Sequence, residues 1–107
     1  IKTKEIKISN AEGIEIFNIC ISGCSVKFTD NNEYYWYTEF SKIKSTKGGA
    51  GGDLLHGSYK RYDEQGNLRR EENYFLGLKD GVHKTWDTSG KIISDSRFKK
   101  GLIDYLK

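Results

Sequence analysis

The chain has 107 residues and a formal net charge of +3, with 12 glycines, 7 tyrosines, 5 phenylalanines, 2 tryptophans and neither proline nor methionine. That length fits one domain, residues 1–107, able to bury roughly 65% of its unfolded surface without metal or disulfide support. The aromatic content argues against disorder, no stretch reaches the ~20 apolar residues of a membrane-spanning helix, and no secretory leader is visible.

Residues 1–32 read as an N-terminal hairpin or cap. Strands over Gly13–Ile21 and Cys24–Thr29, joined by Ser22-Gly23, place Phe17, Ile19, Ile21, Cys24, Val26 and Phe28 on one apolar face. Cys20 then points to the opposite face from Cys24. Two thiols are the expected state, with a disulfide as the alternative; a metal centre lacks ligands, because only His56 and His83 remain to help.

Next comes Tyr34-Tyr35-Trp36-Tyr37. On a strand these four rings divide two and two between the faces. Aligning Tyr37 with the repeats below assigns it to the core. That leaves Tyr34 and Trp36 on the other face, either covered by another layer or free as binding anchors. The run Gly48-Gly49-Ala50-Gly51-Gly52 lacks the Gly-Lys-Ser/Thr ending of a phosphate loop and is followed by Asp53, so it reads as a turn or bulge.

From Leu54 onward the sequence repeats every 24 residues. Leu54, Leu78 and Leu102 align, as do Gly57 with Gly81, Tyr62 with Trp86, Gly66 with Gly90, Leu68 with Ile92, Tyr74 with Phe98, and Gly77 with Gly101. Tyr59 aligns with His83. Each unit reads as a hairpin: strands Ser58–Tyr62 and Leu68–Tyr74, then Val82–Trp86 and Lys91–Phe98, with turns over Asp63–Asn67 and Asp87–Gly90. A fainter upstream copy pairs Tyr34 with Tyr59, Tyr37 with Tyr62, Glu39 with Glu64 and Ile43 with Leu68 at a spacing of 25. The core and turn positions of the repeat are Tyr59, Tyr62, Gly66, Tyr74, Gly77, Gly81, Trp86, Gly90, Phe98 and Gly101.

The sites that invite a chemical reading have structural alternatives. His56 aligns with Asp80 and Asp104, which marks a turn-forming position, and His83 takes an aromatic position. Asp63-Glu64 and Glu71-Glu72 fall on a turn and an outward strand segment, where solvated charge is the default. With no Ser-His-Asp or Cys-His arrangement, the chain reads as a non-enzyme without cofactor or metal. From Ile1 to Asp53 the charges balance, seven basic against seven acidic; from Leu54 to Lys107 eleven basic face eight acidic. That excess is too small and too scattered for a nucleic-acid interface.

The patterns Gly-x-Tyr-x-x-Tyr-x-x-x-Gly-x-Leu and Tyr-x-x-Gly-x-x-x-Gly, with Leu78-Lys79-Asp80-Gly81-Val82-His83-Lys84-Thr85-Trp86-Asp87-Thr88-Ser89-Gly90-Lys91-Ile92 the best single match, resemble the MORN repeat variant. The match is nearest to bacterial proteins of the YwqK-like antitoxin group and covers about residues 34–106. His83 and Tyr105 depart from the pattern. The resemblance implies an all-β fold, an elongated antiparallel sheet of stacked hairpins, with residues 1–32 extending or capping it. It also implies a non-enzymatic binding module whose partner is a protein, of the antitoxin or immunity type. Its alternative is an envelope module that contacts membrane lipids or serves as a spacer. In the first case Tyr34 and Trp36 anchor the partner, and Lys60, Arg61, Arg69, Arg70 and Lys84 steer its acidic patches. A start at Ile1 reads as a trimmed N-terminus, which favours the bacterial envelope or periplasm over the cytoplasm.

Overall fold

The computed structural model of the chain describes residues 1–40 and 42–104. Its ten strands are β1 (Lys2–Asn10), β2 (Gly13–Ser22), β3 (Glu33–Tyr37), β4 (Lys44–Lys47), β5 (Asp53–Tyr62), β6 (Leu68–Phe75), β7 (Leu78–Lys79), β8 (Gly81–Trp86), β9 (Ile92–Lys99) and β10 (Leu102–Ile103). The main path runs β1-β2-β5-β6-β8-β9-β10. β7 adds to β6, and β3 pairs with β4 and with the start of β5. Every pairing is antiparallel. The fold is all-β, as expected.

The 24-residue period extends to individual hydrogen bonds. In the β5–β6 turn, Asp63 Oδ1 accepts from the amides of Gln65 and Asn67 at 3.0 and 2.9 Å. One unit on, Asp87 Oδ1 accepts from Ser89 and Lys91 at 2.9 and 3.0 Å. Register breaks follow at matching places, Arg61/Tyr62 and Thr85/Trp86. At the opposite end the chain reverses through Leu76-Gly77 (φ 44° and 86°) and Lys100-Gly101 (48° and 87°). Positive φ at both central residues is the type I′ geometry, whose twist suits a hairpin. The residues that align with one another close these reversals: His56 Nδ1 accepts the Leu76 amide at 3.0 Å, and Asp80 Oδ1 accepts the Lys100 amide at 3.0 Å.

The N-terminal hairpin differs from the sequence expectation. β2 pairs with β1 through a register from Asn10↔Gly13 to Lys2↔Ser22, and residues 24–28 form no strand. The physical reason is length and pattern: β2 has ten residues, and β1 offers nine, with Ile6 and Ile8 on the face of Phe17. Released from a strand register, Cys24 turns back onto Cys20, and the two form a disulfide with Cα atoms 6.0 Å apart. The expected pair of thiols is therefore corrected.

The upstream copy is also relocated. The hairpin that precedes β5–β6 along the sheet is β1–β2, not the segment that starts at Tyr34. Asn18 on β2 and Asn73 on β6 hold equivalent places. Asn18 Nδ2 reaches the Ser58 carbonyl at 3.4 Å and Asn73 Nδ2 the Val82 carbonyl at 2.9 Å, each just beyond an aligned glycine. Residues 21–52 are thus an insertion where the later units have a two-residue turn.

That insertion folds back over the sheet. Tyr35 and Tyr37 face Phe17, Ile19, Leu55, Tyr59 and Tyr74 in one core, which Ile6, Ile8 and Ile43 extend. On the far side of β3, Tyr34, Trp36 and Leu54 make a second core with Val26, Ala50, Leu76 and Leu78. The glycine-rich run passes directly over Trp36: a Cβ at Gly51 would lie 3.1 Å from its ring, and one at Gly52 2.9 Å. Close approach is why those glycines are there.

Candidate binding cleft

Strand alternation gives the main sheet two unlike faces. The inner face carries Glu15 and Phe17 on β2, Tyr59 and Arg61 on β5, Arg70, Glu72 and Tyr74 on β6, and His83 and Thr85 on β8, as the registers require. The β3–β4 hairpin roofs part of this face. Between roof and floor lies a cleft of about 570 Å³, lined from above by Tyr35, Lys42, Ile43 and Ser45 and from below by Glu15, Tyr59, Arg61, Arg70, Glu72 and Tyr74.

The floor is a closed polar network. The Tyr59 hydroxyl donates to Glu15 Oε2 at 2.5 Å, and the Tyr74 hydroxyl donates to Glu72 Oε1 at 2.6 Å. Arg70 Nη2 donates to the other Glu72 oxygen at 2.6 Å, and its guanidinium sits 5.5 Å from the Tyr59 ring centre. Arg61 Nη2 reaches Glu12 Oε2 at 3.0 Å at the mouth. Burial first, and the Glu15 carboxylate next, push the Tyr59 phenol up; burial and Glu72 do the same to Tyr74. Both phenols stay protonated and act as fixed donors. Glu72, at 7% exposure, is a buried carboxylate with a partner on each oxygen. Such a network, with every member hydrogen-bonded, holds a fixed shape.

The structure separates the residues that sequence reasoning grouped. Arg61 and Arg70 line the cleft. Arg69 stands beside it in a smaller hollow, its Nε donating to the Trp86 carbonyl at 2.8 Å. Lys60 and Lys84 alternate to the outer face. Tyr34 and Trp36 are 2% and 9% exposed, inside the second core. The half-buried Tyr35 is the ring of that run that enters the cleft, 5.3 Å from the Tyr74 ring centre. The expected division of faces holds, Tyr35 with Tyr37 and Tyr34 with Trp36, but the face left for binding is packed as a second core, and Tyr35 was missed because it lies at the open edge of the first. Of the repeat positions, Tyr59 and Tyr74 are buried, and Tyr62, Trp86 and Phe98 are half-buried. Among the described residues, no group of three His, Cys, Asp or Glu side chains is placed to hold a metal ion.

His83 closes the far end of the inner face, edge-on to Tyr74 and Phe98 at 5.5 and 4.8 Å between centroids. Its Nε2 lies 2.8 Å from the Asn73 carbonyl, so that nitrogen carries the proton. Burial lowers its pKa from the usual 6.5 despite that hydrogen bond. The unfolded imidazole therefore takes up a proton first. Stability is intact above about pH 6.5 and falls as the pH drops toward the folded value. Urea unfolding at pH 7.5 and 5.5 should show this loss, and His83→Phe should reduce it; His56, lowered mainly by burial, supplies the remainder.

Residues 55–75 and 79–100 match the family model described as the MORN repeat variant. The matched segments are the β5–β6 hairpin, and the β8–β9 hairpin with its lead-in. No curated protein and no solved structure gives a match. The chain thus carries two MORN-variant repeats, and such repeats are generally non-catalytic modules.

Proposed function

For a chain built on two MORN repeat variants, we propose a non-enzymatic protein-binding module of the antitoxin or immunity type. The observation that carries this reading is the cleft that the inserted hairpin encloses against the inner face. Repeats supply a rigid floor, and the insertion, absent from the later units, converts that floor into a grip. Tyr35, Tyr59 and Tyr74 offer ring faces and hydroxyls that lose little entropy on contact. Arg61 and Arg70 each spend one terminal nitrogen on a glutamate and keep other donors for a bound segment. Neutralisation on this reading is steric: the partner is held and its working surface covered.

The Cys20–Cys24 disulfide supports an oxidising compartment, hence the envelope or periplasm. Affinity purification from the native host tests the reading. A protein should co-purify, be lost with Tyr35→Ala/Arg70→Ala, and be toxic when produced without this chain. A partner retained by the double variant contradicts the cleft; a co-purified protein that is harmless on its own contradicts the antitoxin role. Recovery of lipid in place of protein contradicts both.

A further inference from the structure

The outer face of the sheet has a pattern that the cleft does not use. Across β5, β6, β8 and β9 the register places Lys60, Glu71, Lys84 and Asp95 side by side in one row, with charges that alternate. Cross-strand neighbours of opposite sign ordinarily close on each other. Here none of the four side chains makes an ion pair or hydrogen bond with another described residue; the three ion pairs of the described residues are Arg61–Glu12, Arg69–Asp63 and Arg70–Glu72. Toward the Asp63 and Asp87 turns the next outward positions are apolar: Tyr62, Leu68, Trp86 and Ile92. All four are partly or largely exposed, Ile92 at 45%. A solvated antiparallel face is polar at such positions, and none of the described elements lies over this one.

The geometry points to a second copy of this chain as the occupant of that face. A two-fold axis parallel to the strands, set between β6 and β8, reverses the strand order and keeps the turn ends together. Under it Lys60 meets Asp95 of the partner subunit, and Glu71 meets Lys84 of the partner subunit, so all four charges are matched twice over. The same operation sets Tyr62 on Ile92 of the partner subunit and Leu68 on Trp86 of the partner subunit. An alternating row of four charges is complementary to its own reversed copy, which is what an isologous contact requires. Two sheets packed this way align to within about 30°. The dimer leaves both clefts open on its outer surfaces and so makes the module bivalent.

Sedimentation equilibrium of the full chain over a range of concentrations tests this. The expected result is a species of twice the 12.3 kDa chain mass that dissociates on dilution. Lys84→Glu should raise the dissociation constant by about tenfold or more, because Glu71 of the partner subunit then faces like charge. Lys60→Glu should weaken it likewise and Lys60→Glu/Asp95→Lys should restore it, a rescue that pairing within one chain cannot produce, because β6 and β8 separate β5 from β9. Trp86→Asp should leave a monomer with unchanged far-ultraviolet circular dichroism. A wild-type chain that stays monomeric at every concentration overturns the inference. So does a dimer that is unmoved by Lys84→Glu and instead broken by Ser94→Pro, which would place the contact on the β9 edge.

Discussion

Phe17→Ala is expected to remove about 3–5 kcal/mol of folding stability, the usual cost of emptying a buried aromatic site. Phe17 is 0% exposed. Its ring meets Tyr37 edge-on at 5.2 Å and stacks on Tyr59 at 6.2 Å, so it joins the inserted hairpin to the repeat sheet. Little can collapse into the space, because its neighbours are themselves held: Tyr59 by Glu15, and Tyr37 by its backbone pairing with Asp53. Domains of this size have about 5–15 kcal/mol in total. Denaturant titration should therefore show the midpoint fall by a large fraction, whereas Ile21→Ala, at a side chain 53% exposed, should stay within about 0.5 kcal/mol.

Gly13→Ala is expected to cost about 3 kcal/mol or more, through the backbone instead of the core. Gly13 begins β2 at φ 135°, outside the range L side chains adopt. A Cβ there would lie 2.0 Å from the Tyr62 carbonyl oxygen, a main-chain atom that cannot rotate away. Relief requires opening the Ile14↔Tyr62 end of the β2–β5 pairing. That pairing joins the N-terminal hairpin to the repeats. The comparison is Gly66→Ala, whose φ is also positive (84°) but whose Cβ would meet nothing within 4 Å; it should cost only the local strain, about 1 kcal/mol. A similar loss at both glycines would mean that the β2–β5 junction is not tightly held.

The two hairpins after Leu54 were legible because their constraints recur. A turn that needs Asp and Gly, and a reversal that needs positive φ, leave the same letters 24 positions apart. The β1–β2 hairpin takes the equivalent place in the sheet with different letters and a shorter turn. Its turn is Ala11-Glu12, and what it shares with β6 is one asparagine, Asn18 for Asn73. That correspondence is hidden until residues 21–52 are set aside as an insertion. The cysteines were misjudged for a related reason. Period-two alternation gives the face of a residue only within a strand, and Cys24 is not in one. The cleft was half legible. Arg61 and Arg70 come from the repeats, whose parity is set locally by Tyr59 and Tyr74. Tyr35, Lys42 and Ile43 come from a hairpin whose position depends on long-range packing against Phe17 and Ile8. No local pattern encodes that distance, and the aromatic run at Tyr34–Tyr37 showed how the rings divide between two faces without showing that both faces are packed.

Site-specific photo-crosslinking addresses the proposed role of the cleft most directly. A benzophenone side chain would replace Tyr35 in the cleft roof or, in a parallel preparation, Lys60 on the outer face, with irradiation in the native host. The account predicts a covalent adduct to a different protein from position 35, and at most an adduct to a second copy of this chain from position 60. A foreign protein captured from position 60 and not from position 35 would contradict it.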